Sequence, residues 1–370
     1  MKIVIIGGGI VGASACYHLA KAGHDVTLID DERAGQATRH AAGIISPWLS
    51  KRRSKTWYQL AKMSAWYYPI LHRELLEKEQ LESGYKQVGA LYIHKEKHVL
   101  ADLEKRALER RQMAPEMGKI IWLNEEEVKA KFPIIAPRYE AIFVSGGGRV
   151  SGSVLVSTLK LAAIKNGAKW LNGTARLAKK GQTLSVYHLQ QSIPFEKIIH
   201  AGGAWMRESL QEISYDLEVF PQKGQIIEAK LPMKKTNDWP VILPPSAKSI
   251  VPFDEGKLML GATHEKTAGF DLTPTNAGEK EIIQAVQPFL ATELRDLPKR
   301  LAVGTRPYTS DFIPMIGQLA NEPIFVANGL GASGLTTGAY VGKILADLVM
   351  EGEIMIPLQN YDPNHYLYKK

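Results

Sequence analysis

Near the start of the chain Ile3-Val4-Ile5-Ile6 forms an apolar run that stops at glycine, and Gly7, Gly9 and Gly12 restrict what the chain can do next. A short buried strand must turn at once into a helix: Gly7 permits the tight turn, Gly9 lets backbone approach a pyrophosphate, and Gly12 lets the helix lie against the strand. The start of that helix then offers free N–H groups and a positive dipole end to phosphate. Val11 to Ala22 is predicted as the helix, closed by Gly23, and Asp25 to Ile29 as a second strand ending at Asp30. A carboxylate at that strand end accepts ribose hydroxyls and repels a 2′-phosphate. Together these features predict a dinucleotide-binding unit.

At 370 residues the chain exceeds the usual size of one core, so two consecutive or intertwined domains are expected. With 45% apolar and 23% charged residues it is ordinary for a globular protein, which excludes disorder. The only cysteine, Cys16, falls inside the first helix; it excludes an internal disulfide or thiolate cluster and reads as a small packed hydrophobe. No metal centre is expected. No run of eighteen apolar residues occurs, and the chain enters its first strand without a charged leader, so a cytoplasmic protein is expected. The net charge of +8 is spread along the chain. It admits an acidic substrate or peripheral contact with an anionic membrane, but nucleic acid is not expected, because no aromatic-rich basic surface accompanies it. The one dense basic run, Lys51-Arg52-Arg53-Ser54-Lys55, reads as a solvated loop in preference to a substrate or partner site.

Two later stretches repeat the opening pattern of a short strand running into glycines. Lys197 to His200 leads to Ala201-Gly202-Gly203-Ala204-Trp205, and Ile324 to Ala327 leads to Gly329, Gly331 and Gly334. Ligands of open α/β sheets lie beyond the carboxyl ends of the strands, so three such ends point to one extended cofactor spanning them. A closing helix is predicted from Gly334 to Met350, and others from Ser153 to Asn166, Val99 to Met113, and Trp57 to Leu81 with a break near Pro69. Gln87–His94, Gln225–Ala229, Val241–Leu243, Ser249–Pro252 and Lys257–Gly261 alternate apolar with polar residues between Gly and Pro turns, predicting a mostly antiparallel sheet. The expected fold is therefore α/β: a discontinuous Rossmann-type dinucleotide-binding domain (1–84, 146–220 and 305–370) interleaved with an antiparallel-sheet α+β substrate domain (85–145 and 221–304).

With these pieces in place the chain resembles the FAD-dependent amine and D-amino-acid oxidase superfamily, which contains glycine oxidase, sarcosine oxidase and bacterial D-amino-acid dehydrogenase. The resemblance runs through Gly7–Gly12 with Asp30, Thr38-Arg39-His40-Ala41-Ala42-Gly43, His200–Trp205, Pro221–Gln225, Gly261–Glu265, Gly304–Asp311 and Gly329–Leu335. It implies FAD, with its adenine end at Gly7–Asp30. Cofactor contacts are expected from Gly7, Gly9, Gly12, Asp30, Thr38, Arg39, His40, Ala42, Gly43, Arg176, Gly203, Gly304, Gly331, Ala332, Ser333, Gly334 and Leu335. Thr-x-His-Ala-Ala-Gly also resembles the segment of dimethylglycine dehydrogenases whose histidine holds flavin covalently, which leaves a covalent link at His40 as an alternative to non-covalent binding.

The implied reaction oxidises a small amino acid or secondary amine, of the glycine, sarcosine or D-amino-acid class, to an imine by hydride transfer to flavin N5. A guanidinium clamped on the substrate carboxylate fixes the required geometry, and Arg306 matches the carboxylate-binding arginine of glycine-oxidase-like members. Tyr308, Trp48 and, with less support, His264 are expected pocket walls. Ser249 stands where glycine oxidase has a tyrosine, and Ala332 where it has a second arginine, which implies a roomier or differently polar pocket. Met259 replaces the lysine associated with oxygen use in sarcosine oxidase, leaving oxygen, a quinone or another acceptor open. Oxidation of a 2-hydroxy acid or a glycerol-3-phosphate-type polyol is the alternative on the same fold; an RNA-modification module using flavin is a more distant one.

Overall fold

Lys2–Ile6 is exposed only at Lys2, as expected of a strand covered on both faces. In the computed structural model, which describes residues 1–368, it lies inside a six-stranded sheet. The order is Met315–Gln318, Ile324–Asn328, Lys197–His200, Lys2–Ile6, Asp25–Asp30, Lys169–Asn172, all parallel except the Met315–Gln318 edge. The last two residues of the expected 305–370 segment lie outside the described residues. Helix Ile10–Lys21 packs against Gly334–Val349 and Gly152–Lys165, close to the ranges predicted. Close approach depends on glycine: a Cβ at Gly342 would stand 2.4 Å from the Val11 carbonyl oxygen. Cys16 is fully buried in this layer, and desolvation pushes its thiol up to about 12, so it packs as a hydrophobe.

The second sheet has eight strands, in the order Lys299–Tyr308, Phe220–Lys230, Lys257–Gly261, Ser249–Pro252, Val241–Leu243, Ala90–His94, Glu140–Val144, Ile120–Leu123. Pairing is antiparallel except between Val241–Leu243 and Ala90–His94. Its longest pair sets Gln222 opposite Arg306 and Gly224 opposite Gly304, and one strand runs through the 304/305 position expected as a boundary. Lys299–Tyr308 packs on the turns Ala37–His40 and Gly331–Ser333, so the second sheet reaches the carboxyl ends of the first. One apolar cluster joins them, from Ile3 and Val26 to Ile226 and Met259.

The break expected near Pro69 is not there: Lys55–Glu74 continues through it and gives way to a π turn at Leu75–Glu79. Proline removes one intrahelical donor, but the face formed by Ala65, Tyr68 and Leu71 stays buried and holds the helix together.

Candidate functional site

A cavity of about 410 Å³ opens where the strand ends of the first sheet meet Lys299–Tyr308. At its nucleotide end Gly7 adopts φ +98°, and a Cβ there would lie 2.5 Å from the Ala201 carbonyl oxygen. Gly12 does not line the cavity; a Cβ on it would stand 1.9 Å from the Gly7 carbonyl oxygen, so it acts by letting helix and loop close up. Gly9 faces inward, where a Cβ would meet only Thr38 Oγ1 at 3.4 Å. No side chain caps the helix at Gly9, and the Ile10 N–H donates to Thr38 Oγ1 at 3.2 Å. Asp30 is on the lining, both its oxygens accepting from Gln36 Nε2 at 3.1 Å.

Thr38, His40, Ala42, Gly203, Gly304, Gly331, Ala332, Gly334 and Leu335 also line the cavity. Four other expected residues do not. In the tight turn Ala37–His40 successive side chains diverge by roughly 120°, and Arg39 points out to an ion pair with Glu32 at 3.3 Å. The guanidinium on the lining here is that of Arg33. Strand alternation turns Arg176 outward, 4.8 Å from the Tyr187 ring centre, while Ala175 faces in. Gly43 is needed where a Cβ would strike the Val150 carbonyl oxygen at 2.0 Å. Ser333 is buried behind the lining and accepts from Trp57 Nε1 at 2.9 Å.

The other end of the cavity carries Arg306, whose Nη1 donates to the Thr263 carbonyl at 3.0 Å and meets His264 Nδ1 at 3.3 Å. Its place is kept by glycine, since a Cβ at Gly224 would stand 2.7 Å from Arg306 Cζ. The His264 ring opens to the cavity and is pushed down to about 4, by desolvation first and then by Arg306, Lys248 and Arg52. It is neutral at pH 7, and its Nδ1 lies between Arg306 Nη1 and the Gln222 side-chain oxygen, 3.1 Å away. Tyr308 is buried under Gly331 instead of forming a wall; its hydroxyl accepts the Ala332 N–H at 2.9 Å. Ser249 is off the lining, and Ala247 occupies that edge. Trp48 is core, 1% exposed, its Nε1 donating to Glu116 at 3.0 Å. Met259 lies buried in the second sheet.

His40 Nδ1, His200 Nε2, Ser209 Oγ and Thr305 Oγ1 are buried polar atoms that meet no partner within the chain, and all four residues face this one cavity. His200 Nδ1 accepts the Gly202 N–H at 3.2 Å, so the proton of the neutral ring sits on Nε2. Buried polar atoms are almost always satisfied, so four orphans on one wall mark the seat of a polar ligand. Of these, His40 was expected as a cofactor contact, and His200 and Thr305 fall in stretches that carry the resemblance, whereas Ser209 gave no sequence signal. His94 and His98 have HxxxH spacing, but His94 Nδ1 accepts from the Glu96 N–H at 3.0 Å, and no group of three possible metal ligands occurs among the described residues.

Residues 2–348 match the family described as FAD dependent oxidoreductase. The chain belongs to that family. It is 42% identical over 366 residues to the uncharacterized oxidoreductase YurR of Bacillus subtilis (strain 168), covering 97% of this chain and 98% of that one. It is 27% identical over 377 residues to a glycine oxidase of Pseudomonas aeruginosa, covering 98% of each. Among solved structures, iminodiacetate oxidase from Chelativorans sp. BNC1 superposes with a TM-score of 0.92 at 37% identity, covering 98% of both chains. The protein is thus an FAD-dependent oxidoreductase. The lining suits FAD: a glycine cradle and uncapped helix for the pyrophosphate, Asp30 for the ribose, and four unpaired polar atoms along the way.

Among the described residues no helix is long and apolar enough to cross a membrane.

Proposed function

We propose that the enzyme oxidises a small amino acid or secondary amine whose carboxylate is held by Arg306. The observation that carries this reading is a guanidinium on the cavity lining whose described partners are a carbonyl and a neutral imidazole, with no carboxylate against it. Such a cation in a partly dry cavity is poised for an incoming acid. Relatives named for glycine and for iminodiacetate, both amines with a neighbouring carboxylate, support it.

Bound FAD supplies the acceptor for the hydride of the substrate α-carbon, leaving an imine for water to hydrolyse. Arg306 orients the acid, and Gly224 and the Thr263 carbonyl fix Arg306. Thr38, His40, His200 and Thr305 would hold the cofactor. His264 is too weak a base to take a proton from an ammonium group at pH 7, and the Arg306 end of the lining carries no carboxylate. The substrate amine therefore enters neutral. Replacing Arg306 by Lys or Ala should raise KM about a hundredfold through loss of a charge-assisted pair, with retained flavin absorbance showing an intact fold. An unchanged KM in steady-state kinetics removes the assignment.

A further inference from the structure

The basic run expected to be a solvated loop is not uniform. Lys51, Arg52, Arg53 and Lys55 are all exposed, but the Arg52 guanidinium reaches back to the protein. Its guanidinium lies 4.8 Å from the Trp57 ring centre, and its Nη1 donates to Ser333 Oγ at 3.4 Å. Trp57 Nε1 donates to the same hydroxyl at 2.9 Å, so a ring and a shared oxygen locate the cation. Ser333 ends the turn Gly331–Ser333, whose other two residues line the cavity, and Ala332, small and exposed, leaves the space beside Arg52 open.

Arg52 stands at the rim of the cavity that carries Arg306: the residues on either side of its partner Ser333, Ala332 and Gly334, are on the lining. The positive charges of both arginines also help to depress the His264 ring. Neither arginine forms an ion pair with a described carboxylate. Lys248, the third cation felt by His264, differs: it pairs with Glu281 at 2.6 Å and donates to the Ala262 carbonyl at 2.6 Å, behind the wall. One carboxylate satisfies Arg306 and leaves Arg52 uncompensated. A second acid on the same molecule answers both.

Resting on amine oxidation as proposed above, we propose that Arg52 determines specificity by binding a second carboxylate, so that the enzyme prefers N-carboxyalkyl amino acids, secondary amines with an acid on each arm, to glycine or sarcosine. Arg306 holds the carboxylate beside the carbon that is oxidised, and Arg52 holds the one beyond the nitrogen.

The test compares iminodiacetate with sarcosine on the flavin-loaded enzyme, and measures calorimetric binding of thiodiacetate, a diacid with no amine to oxidise. Wild type should show kcat/KM for iminodiacetate at least about tenfold above that for sarcosine. Arg52→Gln should lower that ratio about tenfold to a hundredfold, mainly through KM, and weaken thiodiacetate binding by a similar factor. Arg52→Lys should recover part of it, and Arg53→Gln, one residue away on the exposed side, should leave the ratio in place. If sarcosine and iminodiacetate both reduce the flavin and Arg52→Gln changes neither the ratio nor thiodiacetate affinity, the Arg52 assignment fails while amine oxidation stands. If no amine reduces the flavin, both fall.

Discussion

Arg306 keeps its place on the cavity lining only because Gly224, across the strand pair, has no side chain. Gly224→Ala should push the guanidinium off its carbonyl partner and behave as a partial Arg306 variant, raising KM about tenfold with Tm little changed. The neutral His264 has a kinetic signature. Because its pKa lies at about 4, kcat/KM should climb with pH along the titration of the substrate amine and show no inflection from this histidine between pH 5 and 8. Stopped-flow flavin reduction across that range reads this directly. His200 governs stability. Burial pushes it from the ordinary 6.5 down to about 4, so the folded state resists its protonation. Its contribution is intact above about pH 6.5 and is lost as pH falls toward 4, at a cost of about 3 kcal/mol when complete. Calorimetry should find Tm falling steeply through that window, and less steeply in His200→Asn. At this scale the sequence placed Arg306, Gly7 and Asp30 on the cavity lining. It was not readable where direction decides: Arg39 and Arg176 have the right chemistry, but the Ala37–His40 turn and a strand alternation point them outward.

The opening strand, glycine turn and helix were legible nearly to the residue, because steric demand, periodicity and helix ending all agree there. Gly12 and Gly23 separate two kinds of glycine requirement in that unit. Gly12→Ala places a methyl 1.9 Å from a carbonyl oxygen and should cost about 1–3 kcal/mol and strip flavin from the purified protein. Gly23→Ala meets nothing within 4 Å and strains only its φ of +84°, costing about 1 kcal/mol while keeping the flavin. Denaturant melts and flavin-to-protein absorbance ratios distinguish them, and equal flavin loss in both would contradict this division of roles. Ile120–Leu123 and Glu140–Val144 were missed for a contrasting reason: Gly118, Pro137 and Gly146–Gly148 flank them, but their short apolar runs lack the alternation of apolar and polar residues that marked the other strands, and they become strands through long-range pairing with each other and with Ala90–His94. Pro69 was over-read, since packing on one face outweighs one missing hydrogen bond.

Across the whole molecule, the cavity draws its walls from loops of the first sheet and from the Lys299–Tyr308 strand of the second, so bound FAD ties the two together. Removing FAD should lower Tm by several degrees, and adding it back should restore Tm in a concentration-dependent way, as for any ligand held only by the folded state. That two sheets share one cavity was foreshadowed by three glycine-rich strand ends far apart in sequence; that a basic loop residue stands beside it was not, because a charge run carries no information about which member turns inward. As proposed, this cavity holds FAD and presents the α-carbon of a carboxylate-bearing amine to it. The most direct measurement is anaerobic bleaching of the flavin spectrum by a panel of glycine, sarcosine, iminodiacetate, D- and L-amino acids, proline and 2-hydroxy acids. Bleaching by amines with a neighbouring carboxylate, abolished or greatly weakened in Arg306→Ala, is the expected result; a colourless protein that takes up no flavin, or bleaching by 2-hydroxy acids alone, contradicts it.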